Sequence, residues 1–154
     1  MTTDVMNLIL GMLSGIGFSS IINIPKRSIL VASFISGMGW MLYSIGVTAG
    51  YEKAMAAFFA TAVIEVLSEI ASRVFKEAAT VFIIPSILPL VPGAGMYYAM
   101  LAFVEGDYKL ATSTANEVFF MAGAIALSLL AISSVMKLIF AVKDQIHKLR
   151  GGEL

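Results

Sequence analysis

The sequence predicts an all-α membrane protein, one transmembrane domain of about five helices over residues 1–154. Three observations predict it. First, 59% of the residues are hydrophobic and only 13% charged, whereas a soluble domain is about half apolar and a quarter charged. Second, apolar runs long enough to cross a hydrocarbon core recur along the chain. Third, the basic residues gather in alternate connections between those runs, as the positive-inside rule requires of a multi-pass protein. The formal net charge is zero, which gives no electrostatic reason to expect nucleic acid. There is no cysteine, so disulfides, thiolate metal sites and a cysteine nucleophile are excluded.

The first span is expected over residues 5–24. It is not a secretory signal, because no basic residue precedes Lys26. Gly11, Gly15 and Ser19 recur every four residues and form a small-residue stripe of the kind that brings helices close in lipid. Gly11 and Gly15 are therefore the expected contact in an oligomer. Asn23, Pro25, Lys26 and Arg27 end the span. The second span is expected over residues 29–49, with Trp40 and Tyr43 nearer mid-membrane than an interfacial belt would place them.

The third span, residues 54–73, carries charge inside it. Glu65, Glu69 and Arg73 are spaced by four and share one helix face. Ionisable groups in lipid are costly, and they face the interior as a rule. The functional reading is a proton or ion relay, or a polar lining. The plainer one is a Glu69–Arg73 pair snorkelling to the interface. Glu65 lies about two turns deeper and fits that plainer reading less well.

The fourth span, residues 78–104, is expected to be broken. Pro85, Pro89, Pro92, Gly93 and Gly95 interrupt it. Each interior proline removes a backbone donor, and freed carbonyls survive at membrane depth only inside protein or along a cavity. Discontinuous helices of this kind carry substrate sites in secondary transporters. A proline-kinked packing helix is the alternative. Read as a site, the stretch offers Pro89, Pro92, Gly93, Gly95 and the Tyr97 hydroxyl to a substrate. Its second half-helix, beginning near Gly93, would aim free amides at a carboxylate.

The fifth span is expected over residues 112–136, with Asn116 and Glu117 near its start as either an interfacial cap or a polar vestibule lining. Residues 137–154 read as a basic amphipathic tail for an anionic membrane surface. With five spans, Lys26, Arg27, Arg73, Lys76, Lys137, Lys143, Lys148 and Arg150 fall on one side, and Lys53 and Lys109 on the other. The richer side is cytoplasmic, which puts the N-terminus outside and the C-terminus inside the cell membrane.

Enzymatic readings find little support. The one histidine, His147, is in the tail, and Asp4, Asp107 and Asp144 lie at ends or loops, so no nucleophile–base pair or aspartate pair stands in the membrane. No catalytic residue, metal or cofactor is expected.

Three stretches carry a family resemblance. They are Asn23-x-Pro25-x-Arg27, then Ser72-Arg73, then Ile84-Pro85 followed by Pro89-Leu90-Val91-Pro92-Gly93 with Tyr97. Together they resemble the threonine/serine exporter family, and the size resembles its small YjjB-like membrane subunit. The resemblance implies export of small amino acids, or of dicarboxylates such as succinate, coupled to an ion gradient. It also implies a larger partner subunit, and a homo-oligomer or hetero-complex in the bilayer. A non-transporting module that stabilises a partner membrane protein is the alternative function.

Overall fold

The computed structural model describes the backbone of residues 2–151 and the side chains of residues 3–142. The described residues form helices and short turns, with no strand among them. In order the helices are α1 (Thr2–Ile21), α2 (Lys26–Thr48), α3 (Lys53–Phe75), α4 (Thr80–Ile87), α5 (Gly93–Val104) and α6 (Tyr108–Gly151), with one 3₁₀ turn, Leu88–Leu90, between α4 and α5. Four helices are long and apolar enough to cross a membrane, and the count becomes five if the bent pair α4–α5 is one span. The first three helices lie within a few residues of the expected spans. The fifth expected span and the tail form one continuous helix. Nothing between Tyr108 and Arg150 breaks it except the single Gly123, which a helix tolerates. The charged side chains expected on the tail, from Lys143 onward, lie outside the described residues.

The turns share one closure. Asn23 (φ 59°), Gly50 (φ 90°), Lys76 (φ 56°) and Gly106 (φ 84°) each adopt the left-handed region just past a helix. The next amide donates back five residues: Ile24 to Ser19, Tyr51 to Gly46, Glu77 to Ser72 and Asp107 to Ala102. This 6→1 bond satisfies a terminal carbonyl that lipid would leave bare. At the α3–α4 corner the Ser72 hydroxyl also donates to the Glu77 carbonyl at 2.6 Å. The Glu77 carboxylate accepts from Arg27 at the start of α2, so that corner is tied across the bundle.

Helix α2 is central, packed against α1, α3 and α4, while α6 packs on α3 and α5. Apart from Ile35, the buried residues of α2 are small: Ser28, Ala32, Ser33, Ser36, Gly37 and Gly39. The Gly11–Gly15 stripe packs within the chain, against α2. A Cβ on Gly11 would stand 2.8 Å from the Gly37 Cα, and one on Gly15 2.8 Å from the Ser33 Cα. Cross-helix hydrogen bonds complete the packing: Ser36 Oγ to the Gly11 carbonyl at 2.9 Å, Ser86 Oγ to that of Ala32 at 2.8 Å, and Ser128 Oγ to that of Phe58 at 2.8 Å. In lipid such bonds supply association that the hydrophobic effect does not.

Candidate functional site

The chain bends by 44° between the α4 side (Thr80–Leu90) and α5. Pro85 is accommodated inside α4. The turn comes after Pro89, where Val91 is extended and Pro92 precedes α5 without a side-chain cap. The Gly93 amide donates to the Val91 carbonyl at 2.7 Å, and that of Met96 to Pro92 at 3.1 Å. The amides between them, Ala94 and Gly95, belong to the first helical turn, whose N–H groups have no intrahelical partner.

A cavity of about 460 Å³ opens on this turn, within the range of small-molecule sites. Pro89, Pro92, Gly93 and Gly95 line it, as does Glu117 from α6. These five are residues the sequence offered. Trp40, Tyr43, Lys53, Tyr98 and Thr114 line it too, and sequence reasoning did not select them as site residues. Lys53 Nζ meets Glu117 Oε1 at 2.6 Å, both side chains about half exposed. The Trp40 and Tyr43 rings lie 5.6 Å apart, centre to centre. The cavity thus combines a cation, a carboxylate, aromatic faces and a helix amino end.

Two glycines of the turn differ. A Cβ on Gly93 would meet open space, and its φ is not positive, so no turn conformation requires glycine there. A Cβ on Gly95 would stand 2.6 Å from Val118 Cγ2, so Gly95 sets the approach of α5 to α6. Tyr97 does not line the cavity. It is 63% exposed and stacks edge-on against Tyr98. Asn116 points to a separate apolar groove between α5 and α6, beside Met96 and Phe103, as a residue 100° around the helix from Glu117 must.

The charged face of α3 is elsewhere. Glu65 is 1% exposed and Glu69 9%, and neither lines the cavity. Glu65 faces the Ser133 hydroxyl of α6, with Glu69 and Lys137 as its charged neighbours. Arg73 is exposed and lies over the Phe140 ring, 3.4 Å from its centre. The ion pairs among the described residues include no Glu69–Arg73 pair. Of the five residues expected as polar lining or relay, the fold therefore brings only Glu117 to the α4–α5 turn.

The sequence matches the family described as Threonine/Serine exporter, ThrE, over residues 7–135. The chain belongs to the threonine/serine exporter family. An uncharacterized protein of Haemophilus influenzae is 23% identical over 99 residues, a stretch covering 64% of this chain and 33% of that protein. The chain thus spans about a third of the length of that curated relative. No solved structure matches it. It is a multi-pass membrane protein of that family, and both the proline turn and the charged face of α3 fall within the matched residues.

Proposed function

We propose that this chain is the small membrane subunit of a secondary transporter, a single five-span domain in the cell membrane. It works with a larger partner subunit to export small amino acids such as threonine and serine, or dicarboxylates, coupled to an ion gradient. The observation that carries the reading is the cavity at the α5 amino end, bordered by Lys53 and Glu117. A substrate carboxylate takes the Ala94 and Gly95 amides, with the favourable end of the helix dipole behind them. Lys53 adds a point charge. The ammonium of an amino acid takes Glu117 in exchange for Lys53, beside the aromatic faces of Trp40 and Tyr98. Backbone left unpaired at membrane depth is tolerated where it lines such a cavity. Glu65 and Glu69 carry the coupling ion from their buried place on α3.

The placement of Lys26, Arg27, Arg73 and Lys76 at one end of the bundle, against Lys53 and Lys109 at the other, supports an outside N-terminus and a cytoplasmic C-terminus. The test is efflux of labelled threonine, serine and succinate from proteoliposomes, with and without the larger subunit. Gradient-dependent efflux is the expected result. A silent reconstituted complex would leave only the stabilising-module reading.

A further inference from the structure

Thr112, Ser113 and Thr114 follow one another near the start of α6. Successive helical residues point about 100° apart, so the three hydroxyls face three ways. Thr112 borders the apolar groove between α5 and α6, and its hydroxyl donates to the Tyr108 carbonyl at 2.8 Å. Ser113 is exposed and donates to the Leu110 carbonyl at 3.0 Å. Thr114 is half-buried and lines the cavity at the α5 amino end. The acceptor four residues back from it is that same Leu110 carbonyl. Its two lone pairs are filled by the helical amide of Thr114 and the Ser113 hydroxyl. Among the described residues the Thr114 hydroxyl makes no hydrogen bond, so it is free for a ligand.

Its position fits one. Thr114, Glu117, Val118 and Met121 all line the cavity, at i, i+3, i+4 and i+7 of one helix face. The amino end of α5 meets this face at Val118, since a Cβ on Gly95 would stand 2.6 Å from Val118 Cγ2. The α5 amides, the Glu117 carboxylate and the Thr114 hydroxyl thus converge within about one turn of α6.

We infer that Thr114 is the specificity-determining residue for a β-hydroxy amino acid, pairing its hydroxyl with that of the substrate side chain. The inference rests on the proposed placement of the substrate carboxylate at the α5 amides and of its ammonium at Glu117. In such a substrate the ammonium and the hydroxyl stand on neighbouring carbons. Residues three apart on a helix have Cβ atoms about 5–6 Å apart, so Glu117 and Thr114 can reach the two groups together. A hydroxyl both donates and accepts, and Thr114 can serve the substrate hydroxyl either way. A hydroxyl that leaves water without a new partner is disfavoured, and the side chains of Leu90, Val91 and Val118 offer it none. The Tyr43 hydroxyl is directed to Met121 Sδ at 3.9 Å, and Tyr98 is 60% exposed with its ring against Tyr97.

The test compares substrates that differ by the hydroxyl alone. Efflux of labelled threonine and valine, and of serine and alanine, is measured from proteoliposomes holding the complex. The wild type should prefer the hydroxylated member of each pair. Thr114→Val keeps the side-chain shape and should cut that preference about two- to tenfold, the worth of one net hydrogen bond. Its valine efflux and Tm should stay near wild type, which a merely structural role would not allow. Thr114→Ser should keep the preference. Thr114→Ala, favoured by helix propensity, should lose it as Thr114→Val does and covers a valine variant that does not fold. An active complex whose preference is absent in the wild type, or unchanged in Thr114→Val and Thr114→Ala, overturns the assignment and leaves the transport reading standing. Equal losses of threonine and valine efflux in those variants overturn it too. A complex that moves no amino acid overturns both.

Discussion

Lys53 and Glu117 lie 64 positions apart in the sequence and meet at 2.6 Å beside the α5 amino end. Both are about half exposed, and a pair of that kind contributes only ~0–1 kcal/mol to stability. Their value is in the cavity, where they are the acidic and basic side chains among the described lining residues. Reversing one charge, Lys53→Glu, should suppress amino-acid efflux while shifting the unfolding midpoint little. The double reversal Lys53→Glu with Glu117→Lys should restore part of the flux. Succinate has no ammonium group, so its efflux should tolerate Glu117→Gln better than threonine efflux does. Flux assays on the reconstituted complex check all three, and wild-type threonine efflux by Lys53→Glu would remove the pair from the site.

The fold was largely legible, and the site only partly. Composition and apolar runs located α1, α2 and α3 because lipid leaves a helix no alternative. The burial of Glu65 followed from the same physics. The Asn23 and Ser72 motifs were legible as patterns but not as corners. Asn23 adopts the left-handed closure at φ 59°, and Ser72 bonds the Glu77 carbonyl. Arg27 meets Glu77 across 50 positions, as Lys53 meets Glu117 across 64, and no local pattern announces such pairs. The choice between Tyr97 and Tyr98 was beyond local reasoning too. Adjacent helical residues point about 100° apart, and only the docking of α5 on α6 decides which one meets the cavity.

The Gly11–Gly15 stripe makes a prediction opposite to its first reading. Because α2 backbone fills the space beside it, Gly15→Leu should destabilise the chain itself. Overpacking of this kind costs about 1–3 kcal/mol, and here the neighbour is the Ser33 Cα, which cannot swing aside. Expression and Tm should fall, while the oligomer size of whatever folds should stay unchanged. A Gly15→Leu chain with normal Tm and altered oligomer size would return the stripe to an interface.

The orientation of the chain is testable with single cysteines, since the protein has none of its own. Ser28 is fully buried and a poor labelling position, whereas Lys26 and Lys109 are exposed. Lys26→Cys should react with an impermeant thiol reagent only from the cytoplasmic side, and Lys109→Cys only from outside. Those positions are separated by α2, α3 and the α4–α5 pair. Opposite-side labelling therefore means that α4 and α5 together cross the membrane once. Labelling of both from one side would make the pair a re-entrant loop.

The α4–α5 turn yields the sharpest contrast, because two glycines separated by one residue should fail in different ways. Gly93→Leu adds a side chain into open space at the α5 amino end. It relieves no positive φ and meets no neighbour, so folding and insertion should survive. The isobutyl group nevertheless occupies the approach to the Ala94 and Gly95 amides, where a carboxylate would sit. Efflux should be abolished with Tm close to wild type. Gly95→Leu drives a Cβ against Val118. The side chain must push α5 off α6, and stability should fall by about 1–3 kcal/mol together with efflux. The tyrosines make the internal control. Tyr98 lines the cavity and Tyr97 does not, so Tyr98→Phe should weaken transport by the roughly 0.5–1.5 kcal/mol of a net hydrogen bond, and Tyr97→Phe by nothing measurable. Efflux rates and Tm for the four variants separate the roles. A Gly93→Leu protein that exports at the wild-type rate would move the substrate away from this turn and leave the prolines as a packing device.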